Sequence, residues 1–270
     1  MTDHPIVTQY RAVVHQALVT LPKPRPADML TLAAIAVVFF LAGLVQGLTG
    51  FGSALVAIPL LALLVEARTA VPLCSLAGLA ITGILSWQLR RHLTFTRIRP
   101  LLLGCLPGVV LGTAFLKGVD DRIFRLALGL FLVLYAGFRL AARPRPARPL
   151  HPLWAYGAGL ATGVIGAAFS TGGPPTVIYT SLTGWSQDEI KATLSAFFLL
   201  GGLMVIAGHA LAGLITSQVL ALLPVAWPAV TLGVLAGARL SRRLDQTAFL
   251  RALLVLLLVM GLAMLASARA

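Results

Sequence analysis

The chain has 270 residues, 59% of them hydrophobic and only 11% charged, with a mean hydropathy of +0.94. A soluble globular domain carries about a quarter charged residues, so this composition describes an all-α polytopic membrane protein whose apolar runs cross a hydrocarbon core of about 30 Å. The formal charge of +13 does not signal nucleic acid, because the 21 Lys and Arg fall mainly in short breaks between apolar runs, as orienting loop charges do, and no basic face with interleaved aromatics is present.

Residues 1–29 read as a polar extension, with an interfacial helix as an option over Tyr10–Leu21. Pro22, Pro24 and Pro26 stand just ahead of the first apolar run and no small-residue cleavage site follows a short one, so this is not the pattern of a cleaved signal peptide. The first repeat, residues 30–142, opens with the run Met29–Leu48, which ends in Gln46-Gly47-Leu48-Thr49-Gly50-Phe51-Gly52-Ser53, a glycine-rich break. Further runs follow over Ala54–Val65, Val71–Leu89, Leu101–Leu116 and Ile123–Leu140. The third closes on Arg90, Arg91 and His92, in a loop that also carries Arg97 and Arg99. The fourth holds Gly104, Gly108 and Gly112 at four-residue spacing, a small-residue face that lets membrane helices approach closely, within one chain or between copies in a homo-oligomer.

Residues 143–152 are an Arg/Pro linker whose alternating prolines forbid helix and favour an extended joint. The second repeat, residues 153–270, begins with the run Leu153–Phe169 and is then interrupted by Ser170-Thr171-Gly172-Gly173-Pro174-Pro175. Glycine and proline cannot continue a regular helix, but proline suits the first turn of a new one. The spacing predicts a helix, an irregular Ser170–Gly173 segment, and a second helix from Pro174 or Pro175. Thr176–Leu182 continues to a polar loop at Gly184–Lys191, and the spans Ala192–Leu214, Val219–Ala238 and Phe249–Ala266 complete about ten apolar segments, some short or broken.

Gly43, Gly47, Gly50 and Pro59 match Gly159, Gly163, Gly166 and Pro175 at an offset of 116, and Gly108, Gly112 and Asp120 match Gly233, Gly237 and Asp245 at 125. This reads as an internal duplication. Five segments in each half turn the second copy upside down, provided all five span. With the N-terminus outside, the basic loops and the linker fall on the cytoplasmic side, while Arg11, Lys23, Arg25, Lys117 and Arg122 lie outside.

Paired broken helices in inverted halves point to a transport site near the membrane midplane, since irregular backbone at that depth is tolerated only inside protein or along a water-filled cavity. The helix starts after each break offer N–H groups and a positive dipole end to an anion. The candidate substrate-binding residues are Gln46, Thr49, Gly50, Phe51, Gly52 and Ser53 at the first break, and Ser170, Thr171, Gly172, Gly173, Pro174 and Thr176 at the second. His209, the one histidine within a span, is either a core hydrogen-bonder or a proton-coupling residue. Trp87, Trp154 and Trp185 lie near span ends as interface anchors. Cys74 and Cys105 sit in apolar runs as small buried hydrophobes. No His, Cys or carboxylate cluster has metal spacing, no serine has a plausible His and Asp partner, and no cofactor is expected, so an enzyme is disfavoured.

The break Gly47-Leu48-Thr49-Gly50-Phe51-Gly52, the sequence Gly163-Val164-Ile165-Gly166 leading into Ser170-Thr171-Gly172-Gly173-Pro174-Pro175, the Arg-rich centre and the duplicated half together resemble the sulfite exporter TauE/SafE family of membrane permeases. The resemblance covers nearly the whole chain from about residue 30, although members often carry more consecutive glycines at the first break. It implies a bacterial inner-membrane permease exporting a small sulfur-containing anion, such as sulfite or an organosulfonate, driven by an ion gradient, with proton or ion coupling as an option. The competing readings are a carrier or channel for another solute or ion, and a membrane accessory subunit without a substrate, whose breaks would be filled by side chains.

Overall fold

Long apolar stretches leave the backbone no partners in lipid except its own, so they fold as helices. A computed structural model describes residues 26–50, 52–88, 94–141, 151–241 and 245–267. Residues 1–25 with the Tyr10–Leu21 segment, Phe51, Arg90–His92, most of the Arg/Pro linker, and Arg242 and Arg243 lie outside the described residues. Within them the chain forms ten helices: α1 (Pro26–Thr49), α2 (Ser53–Leu61), α3 (Ala67–Gln88), α4 (Phe95–Gly118), α5 (Asp121–Ala141), α6 (Leu153–Phe169), α7 (Gly173–Ser181), α8 (Gln187–Leu211), α9 (Ser217–Leu240) and α10 (Gln246–Ser267). Stretches of α1, α4, α5, α8, α9 and α10 are long and apolar enough to cross a membrane. Their outward faces, such as Leu103, Leu106, Val110 and Leu111 on α4, are apolar and exposed, as lipid contact requires.

Two glycine-lined helix pairs hold the bundle together. A side-chain carbon on Gly43 or Gly47 of α1 would run into the backbone of Val230 or Val234 on α9, and one on Gly233 or Gly237 into Phe40 or Leu44. The second pair repeats the arrangement: Gly104, Gly108 and Gly112 of α4 lie against Tyr156, Leu160 and Val164 of α6, while Gly159 and Gly163 lie against Leu101 and Cys105. The small-residue face on α4 is therefore occupied within the chain. Residue numbers rise together across both pairs, so α1 runs parallel to α9 and α4 parallel to α6. A third close approach joins α5 to α10, where Gly129 meets Gly261.

The two short helices depart from the expectation that all five segments of each half span. Each has nine residues, about 14 Å of helix at 1.5 Å per residue, half of a hydrocarbon core. Instead of crossing, α7 folds back along α6: Thr176 bonds Thr162, and a Cβ on Gly172 would stand 3.0 Å from Gly166 Cα. The reversal happens where α6 ends on Ser170 in the left-handed region, φ 55, with its N–H donated to Gly166 O at 2.8 Å. At the first break Gly50, φ 81, closes α1 in the same way on Gln46 O at 2.7 Å.

These matching closures share one spacing, which differs from that of the sequence match. The left-handed residues 50 and 170, the helices Ser53–Leu61 and Gly173–Ser181, and the starts of α3 and α8 at Ala67 and Gln187 all lie 120 residues apart, not 116. Glycines four apart on a helix match equally well after a slip of one turn, so the glycine matches alone do not choose between the two spacings. Farther on, the backbone carbonyls of Asp120 and Asp245 accept the N–H groups of Phe124 and Phe249, the bond that opens a helix.

Both ends of the bundle carry polar ties. At one end Arg97, in the first turn of α4, pairs with Glu189 of α8 at 2.8 Å and lies 4.7 Å from the centroid of the Trp185 ring. At the other, Arg125 donates to Ala62 O at 3.2 Å and Asp121 accepts from Ala67 N at 3.2 Å, tying the α2–α3 turn to the start of α5. Gln218, at the start of α9, lines the same polar cleft.

Candidate functional site

Because α1 and α6 each end inside the bundle and hand over to a helix too short to cross, the two breaks meet around one cavity of about 590 Å³. Of the sequence-predicted residues, Gln46, Thr49, Gly50, Gly52, Ser53, Ser170, Thr171, Gly172, Gly173 and Pro174 line it. Phe51 lies outside the described residues. Thr176 does not face the cavity: it is 0% exposed, and its hydroxyl is spent on Thr162 across the α6–α7 hairpin. His209 is also absent from the lining. Its ring is fully buried, and Nε2 stands 2.9 Å from Ala167 O. That carbonyl belongs to the last turn of α6, where no helical N–H follows to satisfy it, so His209 fastens α8 to the loose end of α6.

The two breaks are chemically unlike. At the first, the Gln46 side chain accepts the Ser53 N–H at 3.3 Å and so caps α2 from the preceding helix, while the Thr49 hydroxyl donates to Val45 O at 2.8 Å. At the second, Pro174 and Pro175 occupy the opening turn of α7. Their fixed φ preorganises the helix, but they remove two of the N–H donors that the sequence suggested for an anion. The hydroxyls are what remain distinctive there. Ser170 Oγ lies 3.1 Å from Ser75 Oγ of α3. Thr171 Oγ1, on a residue only 3% exposed, has no hydrogen-bond partner among the described residues although the residue lines the cavity. A buried hydroxyl without a partner costs roughly 1–3 kcal/mol, and this oxygen is enclosed behind the cavity wall, as are those of Thr113 and Thr193 elsewhere in the bundle.

Several lining residues escaped the sequence reading: Ser75, Gly78 and Thr82 on α3, Ser195 and Phe198 on α8, Cys74 and Cys105, and Lys191. Lys191 belongs to α8 rather than to a loop. Ser75 and Ser195 are 120 residues apart, so that spacing would have picked out this pair of hydroxyls in otherwise apolar spans. The cavity's remaining walls are largely aliphatic or aromatic.

The far side of the second break is closed by aromatic packing. Phe169, the last residue of α6, sits among Phe115, Phe124 and Phe131 at centroid distances of 5.8, 5.4 and 6.1 Å.

A helical bundle with exposed apolar faces, two breaks that each hand over to a nine-residue helix, and a cavity where the breaks meet defines a polytopic membrane transporter. The chain belongs to the sulfite exporter TauE/SafE family, whose model matches residues 35–264. It is also similar to the probable inner membrane transporter protein TsaS of Comamonas testosteroni, 28% identical over 176 residues that cover 64% of this chain and 73% of that protein. No solved structure matches it. The protein is thus a multi-pass inner-membrane transporter.

Proposed function

We propose that this transporter is a secondary permease exporting a small sulfur-containing anion, sulfite or an organosulfonate, by alternating access around the two breaks. The observation that carries the reading is the single cavity shared by both breaks, lined by Ser53, Ser75, Ser170 and Ser195. An accessory subunit would have its breaks packed shut. The family likeness supports the sulfur-containing substrate. Two inverted halves supply the mechanism, and the helix directions support them: α1 runs with α9, which starts beside the Glu66–Asp121–Arg125 cleft, whereas α6 runs with α4, which starts at the opposite, Arg97 end. The short helices preserve this inversion because each still reverses the chain without crossing. The buried bond of His209 supports a structural post more than a coupling group. Export of an anion needs little coupling, since an interior-negative potential favours it by about 2.3 kcal/mol per charge per 100 mV.

The test is efflux of labelled sulfite, methanesulfonate and unrelated anions from proteoliposomes, comparing the parent chain with Gly172→Leu and Gly52→Leu. Gly172 faces Thr162 O at 2.6 Å from an added Cβ, and Gly52 has φ 97, so bulk at either break both fills the cavity and strains the turn. Saturable efflux of the sulfur anions, lost in both variants, is the expected result. Absence of any anion flux, or unchanged flux in two well-folded variants, sinks the reading.

A further inference from the structure

We propose that Lys191 is the anion-capturing residue at the mouth of the cavity, setting its charge selectivity and the membrane face from which it loads. This rests on the permease reading above and names a binding residue for it. Among the described residues that line the cavity, Lys191 alone carries a charge. It is exposed, one and a half turns into α8. The nearby carboxylate of Glu189 is engaged by Arg97 at 2.8 Å. From it a lining stripe descends α8 at helical spacing through Ser195 and Phe198 to Gly202. The Phe198 ring lies 3.8 Å from where a Cβ on Gly173 would sit, at the start of α7. The stripe therefore joins the lysine to the second break within two to three turns of helix.

Two comparisons argue that the charge is there for a ligand. A cation near a helix N-terminus opposes the macrodipole, so Lys191 does not serve the helix it stands on. Its counterpart 120 residues earlier on α3 is Val71, which is 0% exposed and packed in the core. The matched position thus holds a buried apolar side chain outside the cavity lining where Lys191 offers a solvated cation, and the cavity loads from the Lys191 end. That end also holds the start of α4 with Arg97 and Arg99, adjoining in sequence the loop of Arg90 and Arg91. The excess of positive charge marks this face as cytoplasmic. A lysine there draws anions from the compartment that an exporter empties.

The experiment uses the full chain in proteoliposomes and compares the parent with Lys191→Met, which keeps the aliphatic stem, and Lys191→Arg, which keeps the charge. Initial rates are measured against sulfite and methanesulfonate concentration at low and high ionic strength. Lys191→Met is expected to raise KM about tenfold at low salt, the effect of losing one partly solvated charge near an anion, with maximal rate little changed. The salt dependence of KM flattens in the same variant, and Lys191→Arg stays within about twofold of the parent, a range set by the retained charge. An unchanged KM and salt slope in Lys191→Met overturns the proposal, as does equal damage in the Met and Arg variants, which would indicate packing by the stem. Should Lys191→Met fail to fold, a parent KM insensitive to salt overturns it and a salt-sensitive KM retained by Lys191→Arg supports it. If the parent moves neither anion, the permease reading itself falls, a result distinct from parent flux with an indifferent Lys191.

Discussion

Thr171 separates stability from function more cleanly than its neighbours do. Its side chain is shaped like valine, and its hydroxyl is buried without a partner among the described residues. Thr171→Val removes a polar atom that gains nothing in the empty protein, so the variant should be as stable as the parent or more so, by up to about 1 kcal/mol in thermal unfolding. Anion efflux should fall at the same time if transport opens this enclosed oxygen to the guest, which then loses a donor. Loss of stability together with unchanged efflux would mean that the hydroxyl serves the fold and not a ligand. Ser170 next to it accepts a left-handed backbone, which costs an L-residue about 1–2 kcal/mol, while its hydroxyl meets Ser75. The position of this break was legible in the sequence because glycine and proline declare where a helix must stop. Which hydroxyl would be left unsatisfied was not legible, since that depends on α3 and α8, far away in the chain. Thr176 shows the converse: its residue type fits an anion site, but the hairpin turns it toward Thr162.

The elements are positioned by glycine contacts at four-residue spacing, and these contacts set a sharp test. A Cβ on Gly47 would overlap the Val234 carbonyl oxygen and stand 2.7 Å from Ala238 N, whereas one on Gly157 meets nothing within 4 Å. Gly47→Ala must push α1 away from α9 and should destabilise the protein by about 1–3 kcal/mol. Gly157→Ala, in the middle of α6, should be neutral or stabilising by up to about 1 kcal/mol through helix propensity. Thermal unfolding in detergent distinguishes the two, and equal effects would contradict the close packing of α1 on α9. The four-residue spacing was readable from the sequence, and so were the pairs' small-residue faces. The partner helices were not, because a glycine face fits any close neighbour. The same periodicity fits either repeat spacing after a slip of one turn, and only the helix ends distinguish them. The length of α7 hinted that it could not cross, but its return along α6 depends on the Thr162–Thr176 contact and leaves no local signal.

For the whole molecule, the 120-residue spacing that relates the starts of α3 and α8 turns the alternating-access proposal into a statement about two positions. In the present conformation Lys191 is exposed at the cavity, while the matched Val71 is fully buried and Phe169, at the end of α6, packs among three aromatic neighbours. If the inverted halves exchange conformations during transport, Val71 should take the solvated role that Lys191 has now, and Lys191 should withdraw. Cysteine placed at either position, with Cys74 and Cys105 replaced by alanine, can be probed by a membrane-impermeant thiol reagent. The Lys191→Cys protein should react from one face without substrate and be protected when sulfite drives cycling. Val71→Cys should be silent at rest, as a residue with 0% exposure must be, and become reactive from the opposite face under the same drive. A static channel would label both positions from both faces whatever the substrate, and an accessory protein would leave Val71→Cys silent throughout. Only a population shift between two packings of the same halves, biased by a ligand that binds them unequally, yields opposite changes at two positions related by the 120-residue offset.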